Sequence, residues 1–224
     1  MPTLLDFSLL PIGLHLVVSL TALILCAHSW YLLDWKVLSW VWVLFNQTNK
    51  IEQAIIEYTF RPTDTTISAG CLGVASAVVA IIGWSRLRMR DMDFEYNITR
   101  RYFWSGFVLL TSAASFACSL AALIFSTIDK DSGGWQGCTQ TIDGANLPVF
   151  HCTREAAACS LLPYYWANIT GEWKWAIPLA CNEAVSAKWM QVAIMLCTTV
   201  VIAMFGAQAW LRRGSHRSVG KEAA

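Results

Sequence analysis

Four stretches of this chain run without a single Asp, Glu, Lys or Arg: roughly 9–33, 67–84, 103–127 and 189–211. A helix needs about 20 apolar residues to cross a hydrocarbon core about 30 Å thick, and each stretch comes close to that length. Polar residues collect between them, in segments 34–66, 85–102 and 128–188 and in a tail over 214–224. The pattern predicts an all-α membrane protein. It is read as a four-transmembrane-helix bundle, one membrane domain over 1–213, with a disordered cytosolic tail over 214–224.

The first run is longer than the ~7–15-residue core of a cleavable signal, and no Lys or Arg precedes it. It is read as an uncleaved anchor, with Pro11 in an early turn. The second run is rich in small side chains. Ala69, Gly73 and Ala77 recur every four residues and lay a smooth stripe along one helix face, which lets helix backbones approach closely. Packing within the chain is the favoured use of the stripe, ahead of homodimerisation. The third run, with Thr111, Ser112, Ser115 and Ser119 at its centre, is read as a close-packed central helix. Its hydroxyls are expected to bond carbonyls of their own helix. Gln191 and Gln208 are expected near the ends of the fourth run, within reach of water or headgroups.

Charge distribution sets the expected orientation. Segment 85–102 holds Arg86, Arg88, Arg90, Arg100 and Arg101, and Arg212 and Arg213 end the fourth run. Lys and Arg accumulate on the cytosolic side of membrane proteins. Segment 85–102 and both termini are therefore expected in the cytosol, and 34–66 and 128–188 outside it. Trp84, Trp104 and Trp210 then fall at one boundary, and Trp30 and Trp189 at the other, as interfacial indoles do. The multi-pass protein is expected in the plasma membrane or a secretory-pathway membrane.

Composition agrees with a lipid solvent: 56% of the 224 residues are hydrophobic and 14% charged, against about 25% charged in soluble domains. The net charge of +1 points to no nucleic-acid partner. The expected partners are the bilayer, other membrane proteins, or a second copy.

Segment 128–188 carries Cys138, Cys152, Cys159 and Cys181. An extracytosolic compartment permits disulfides, and four cysteines allow three pairings that sequence does not distinguish. A bridge closing about 15 residues, such as Cys138 with Cys152, is worth ~3 kcal/mol in the chain-entropy account. Zinc is disfavoured, because His151, Cys152 and Cys159 lack a C-x-x-C spacing and a second nearby His. No metal or cofactor is expected. The absence of C-x-x-C also argues against a quinone-linked thiol oxidase. Cys26, Cys71, Cys118 and Cys197, inside the apolar runs, are read as small apolar fillers.

His15 and His28 share the first run. Two haem ligands must lie at one depth, whereas these are about 20 Å apart on one helix, so they are read as neutral imidazoles bonded to neighbouring helices or headgroups. The segment Trp35–Phe45 holds three Trp. It is read either as interfacial or as an edge strand or plain loop packing. Asn46 and Asn168 head sequons on the outer side and are candidate glycosylation sites. The Asn97 sequon falls on the inner side as a chance match. Tyr164, Tyr165, Trp166, Trp173 and Trp175 crowd the later outer loop, as aromatics do at interfaces.

Four spans, a short inner loop and a large cysteine-bearing loop between spans three and four resemble the tetraspanin layout. The Cys-Cys-Gly signature is absent, as is the claudin pattern of paired cysteines in the first outer loop, so no functional residue is carried over. The resemblance implies lateral organisation of membrane partners. The expected function is a non-catalytic scaffold acting through its extracytosolic loop. The alternative is a membrane enzyme or carrier for a hydrophobic small molecule, with His15, His28, His151, Arg154 and Glu155 as its polar groups.

Overall fold

The computed structural model describes residues 2–37, 40–45, 50–89, 97–131, 137–142, 147–165 and 172–222. Four long helices dominate: α1 (Pro2–Tyr31), α2 (Arg61–Leu87), α3 (Ile98–Asp131) and α6 (Ala176–Glu222). Each is long and apolar enough to cross a membrane. A π-helical turn, Leu32–Val37, extends α1. Two very short helices, α4 (Arg154–Ala156) and α5 (Leu162–Tyr164), flank a π-helical turn, Ala157–Leu161.

The segments between helices depart from the all-α expectation. β1 (Trp40–Phe45) and β2 (Lys50–Tyr58) come from the first, and β3 (Cys138–Ile142) and β4 (Pro148–Cys152) from the second. They form one mixed sheet in the order β1-β2-β4-β3. β2 and β4 run parallel, with Ile55 opposite Val149, while β1–β2 and β3–β4 are antiparallel. The Trp-Val-Trp-Val-Leu-Phe run of β1 is rich in the aromatic and β-branched residues that suit a pleated surface. It therefore lies in an edge strand rather than a loop.

At the C-terminal end α6 continues to Glu222, beyond the fourth apolar run. Extending an existing helix adds one hydrogen bond per residue and needs no new nucleus.

The chain divides into two compact units. The first comprises 1–20, 69–119 and 192–224, and the second 21–68 and 120–191. Each long helix contributes to both. In the first unit the usual soluble pattern is inverted. Leu10, Leu14, Val17, Leu110 and Leu196 face outward, while His15, Ser19, Ser76, Ser112, Ser115, Ser119 and Thr198 are buried. Soluble proteins bury their large apolar side chains and expose polar ones; lipid as solvent removes the drive to do so.

The layers of this unit follow from helix geometry. Ile12, Ala80, Val108, Val201 and Phe205 form one apolar cluster. One turn along each helix, about 5 Å away, lie His15, Ser76, Ser112 and Thr198. Ser76 and Ser112 share a hydrogen bond of 3.2 Å, and Thr198 donates to the Ile194 carbonyl. The small-residue stripe serves this packing: Ala69 and Ala77 are fully buried, and Gly73 sits against Ser19 where a Cβ would collide.

The second unit has its own core. Leu32, Leu33, Ala54, Ile56, Phe150, Leu161, Leu162 and Ile177 are buried together. β2 alternates accordingly, with Ala54 and Ile56 buried and Glu57 exposed. Two disulfides staple the unit. Cys138–Cys152 joins directly opposed residues of β3 and β4, and Cys159–Cys181 ties the π-helical turn to α6.

Candidate functional site

The second unit contains a pocket of about 50 Å³, lined by Cys26 and Ser29 of α1, Pro62, Thr63 and Thr66 of α2, Ser126 of α3, and Ala184, Ala187 and Lys188 of α6. Thr153, Arg154 and Glu155 complete it from the start of α4. Thr153 caps that helix, its hydroxyl accepting from the Ala156 N–H.

Arg154 is 4% exposed and holds the pocket wall. Its Nε and Nη2 donate to the two oxygens of Asp34 at 3.1 and 2.8 Å, and its Nη1 donates to the Thr63 hydroxyl at 2.9 Å. Asp34 also accepts from the Trp30 indole N–H at 2.6 Å. The rings of Tyr58 and Phe60 each lie 5.3 Å from the guanidinium carbon, within cation–π range. One side chain thus links four places: the turn after α1, the end of β2, the start of α2 and α4. Burial, with Asp34 as a secondary cause, pushes the Tyr58 phenol well above its usual range.

The second ion pair is looser. Lys188 Nζ donates to Glu155 at 3.4 Å. The pocket hydroxyls of Ser29, Thr66 and Ser126 donate to the carbonyls of Cys26, Pro62 and Leu123, at 3.0, 2.7 and 2.8 Å. Their oxygens keep lone pairs to accept with.

The structure separates the five polar residues of the alternative reading. Arg154 and Glu155 line the pocket. His28 contacts both carboxylate oxygens of Glu183, at 2.8 and 2.9 Å, which is the helix-neighbour bond expected of it. His151 lies on the sheet between Glu57, at 3.1 Å, and the Thr141 hydroxyl, at 3.0 Å. His15 belongs to the first unit. It is 1% exposed and lies against the Gly73 backbone on the neighbouring helix. The Ser19, Ser115 and Ser119 hydroxyls are without partners among the described residues. Gln191 is buried with an unpaired Oε1, rather than lying open to headgroups. Buried polar atoms are nearly always paired, by protein or by water.

The aromatic candidates divide. Tyr164 is 58% exposed and Trp175 54% exposed. Tyr165 is 8% exposed and packs inward, its ring 6.3 Å from that of Phe150; it belongs to the core and not to the exposed set. Burial, with Tyr164 as a secondary cause, pushes its phenol up to about 12. Trp173 lies in the 3₁₀ turn Glu172–Trp175. Asn46, Trp166, Asn168 and Arg90 lie outside the described residues, as do the side chains of Arg212 and Arg213. Arg86 and Arg88 end α2 exposed, Arg88 stacked over Trp84 at 5.2 Å. Arg100 and Arg101 fall in the first turn of α3.

Sequence reasoning missed Asp34, Thr63 and Lys188. A lone Asp and a lone Lys, each at the edge of an apolar run, were the available signal. The fold defines the class: a multi-pass membrane protein with a disulfide-bonded, sheet-bearing unit. No protein-family model, curated protein or solved structure matches the chain.

Proposed function

We propose that this is a non-catalytic membrane scaffold that organises membrane partners through its sheet-bearing unit. The observation that carries this reading is the construction of that unit. Segments from both inter-helix loops share one sheet, two disulfides staple it, and Tyr164 and Trp175 stand out from it. Rigid, exposed aromatics are the side chains that anchor interfaces. On this reading the unit lies outside the cytosol, where disulfides persist. Both termini are cytosolic, in the plasma membrane or a secretory-pathway membrane, and Asn46 and Asn168 are open to glycosylation.

The test is purification in mild detergent after cross-linking in the membrane, with mass spectrometry of the bound proteins. A stoichiometric membrane-protein partner that is lost on Tyr164→Ala and Trp175→Ala substitution supports the scaffold. Associations unchanged by replacing the whole 128–188 segment would sink it. One observation favours the second reading, an enzyme or carrier for a hydrophobic small molecule: Arg154 and Glu155 line a pocket. A lone protein carrying a specific small molecule would be its signature.

A further inference from the structure

The pocket of the second unit lies at a defined depth. Ser29 and Lys188, which line it, each directly precede a tryptophan, Trp30 and Trp189. Both indoles are exposed, and exposed indoles at the ends of spans sit among lipid headgroups. The pocket therefore opens where headgroups are, rather than in hydrocarbon or bulk water.

Its chemistry is two-signed. Lys188 is 15% exposed and makes a single hydrogen bond among the described residues, to Glu155 at 3.4 Å. An ammonium has three N–H donors, so two meet no acceptor among the described residues. A nearly buried ammonium left so sparsely bonded is costly, and an anion arriving beside it relieves that cost. Arg154, by contrast, is held on Asp34 and Thr63 and frames the site. On the other side Glu155 and the hydroxyl oxygens of Ser29, Thr66 and Ser126 are acceptors, suited to a cationic donor. The space of about 50 Å³ compares with about 10–15 Å³ for one water by the same kind of measure. It admits a group several heavy atoms in size.

We propose that this pocket binds the headgroup of a zwitterionic aminophospholipid, its phosphate on Lys188 and its primary ammonium on Glu155. The ligand bridges the loose Lys188–Glu155 pair and gives Lys188 a second counter-charge. A purely anionic headgroup satisfies Lys188 but meets Glu155 as a like charge. The inference rests on the four-span assignment and not on partner docking, so it stands or falls separately from the scaffold.

The experiment uses the full chain in phosphatidylcholine nanodiscs. These are doped with equal small fractions of phosphatidylethanolamine and phosphatidylglycerol, and the lipid retained after detergent extraction is quantified by native mass spectrometry. The expected result is preferential retention of phosphatidylethanolamine. Lys188→Ala should lower it about tenfold, as loss of a charge-assisted bond does, and Lys188→Arg should keep most of it. Glu155→Gln should erase the preference over phosphatidylglycerol while leaving total lipid largely intact. Peptide mapping of both disulfides serves as the fold control for each variant. Equal retention of the two lipids by the unaltered protein overturns the proposal. So does an unchanged preference in folded Glu155→Gln, even where Lys188→Ala fails to fold. A third arm adds soluble phosphoethanolamine: displacement of the lipid at equal concentration would assign the site to a water-soluble ligand and overturn the lipid assignment.

Discussion

Arg154 is the residue on which most of the second unit's polar order depends. Its partner Asp34 is itself three-quarters buried, so removing the guanidinium leaves a carboxylate with only the Trp30 N–H among the described residues. Breaking one side of a buried pair costs about 3–5 kcal/mol. The partial exposure of Asp34 places Arg154→Met near the lower end, roughly 3 kcal/mol. Thermal unfolding in detergent should show this, and adding Asp34→Asn should recover part of it, the signature of a coupled pair. Tyr165 supplies a pH dependence with a definite sign. Its phenol ionises near pH 10 when unfolded and near 12 when folded. Its contribution is thus fully present below pH 10 and is lost as pH rises from 10 to 12, because the unfolded chain releases its proton first. An alkaline stability titration should fall across that window, and Tyr165→Phe should make the fall shallower. The Tyr58 phenol, shifted in the same direction, adds to the same alkaline loss.

At the scale of elements, the disulfides and the glycine stripe carry the clearest consequences. Cys138–Cys152 closes 14 residues and Cys159–Cys181 closes 22, so each is worth roughly 3 kcal/mol in the chain-entropy account. Replacing Cys138 and Cys152 by Ser should lower stability by that order. A non-reducing peptide digest should return these two links and neither of the other two pairings. Gly73→Ala should also destabilise, by about 1–3 kcal/mol. The new Cβ meets the Ser19 hydroxyl and, at 2.9 Å, the Ser19 Cβ, and a Cβ cannot swing aside without moving α1. The four helices and the four loop cysteines were legible because each rests on a local signal: a charge-free run, or a residue type in one segment. The sheet was not. Ala54, Ile56 and Tyr58 do alternate, but β2 finds its parallel partner at Val149–Cys152, with two spans of chain in between. The Asp34–Arg154 pair was hidden for the same reason: no short-range pattern marks which of 15 acidic residues will face a given arginine. The buried state of Tyr165 was equally hidden, since Tyr164 beside it has the same composition and the opposite environment.

For the whole molecule, orientation is the property on which function turns, and two independent physical arguments give it the same sign. Arg86, Arg88, Arg100 and Arg101 collect at the ends of α2 and α3 that meet across segment 88–97. Basic residues in short loops stay on the cytosolic side. The two disulfides lie in the second unit, and reducing compartments do not maintain such bonds. The agreement of the two arguments predicts that the second unit faces away from the cytosol and that 88–97 faces into it. In sealed vesicles with the cytosolic face outward, protease should cut within 88–97 and leave the sheet intact. Asn168→Gln should sharpen and speed the gel band by removing a glycan, while Asn97→Gln should leave mobility unchanged. Protection of 88–97 together with cleavage in the sheet would reverse the orientation. It would place Tyr164, Trp175 and the headgroup pocket on the cytosolic side, and the scaffold reading would then need partners drawn from the cytosolic face.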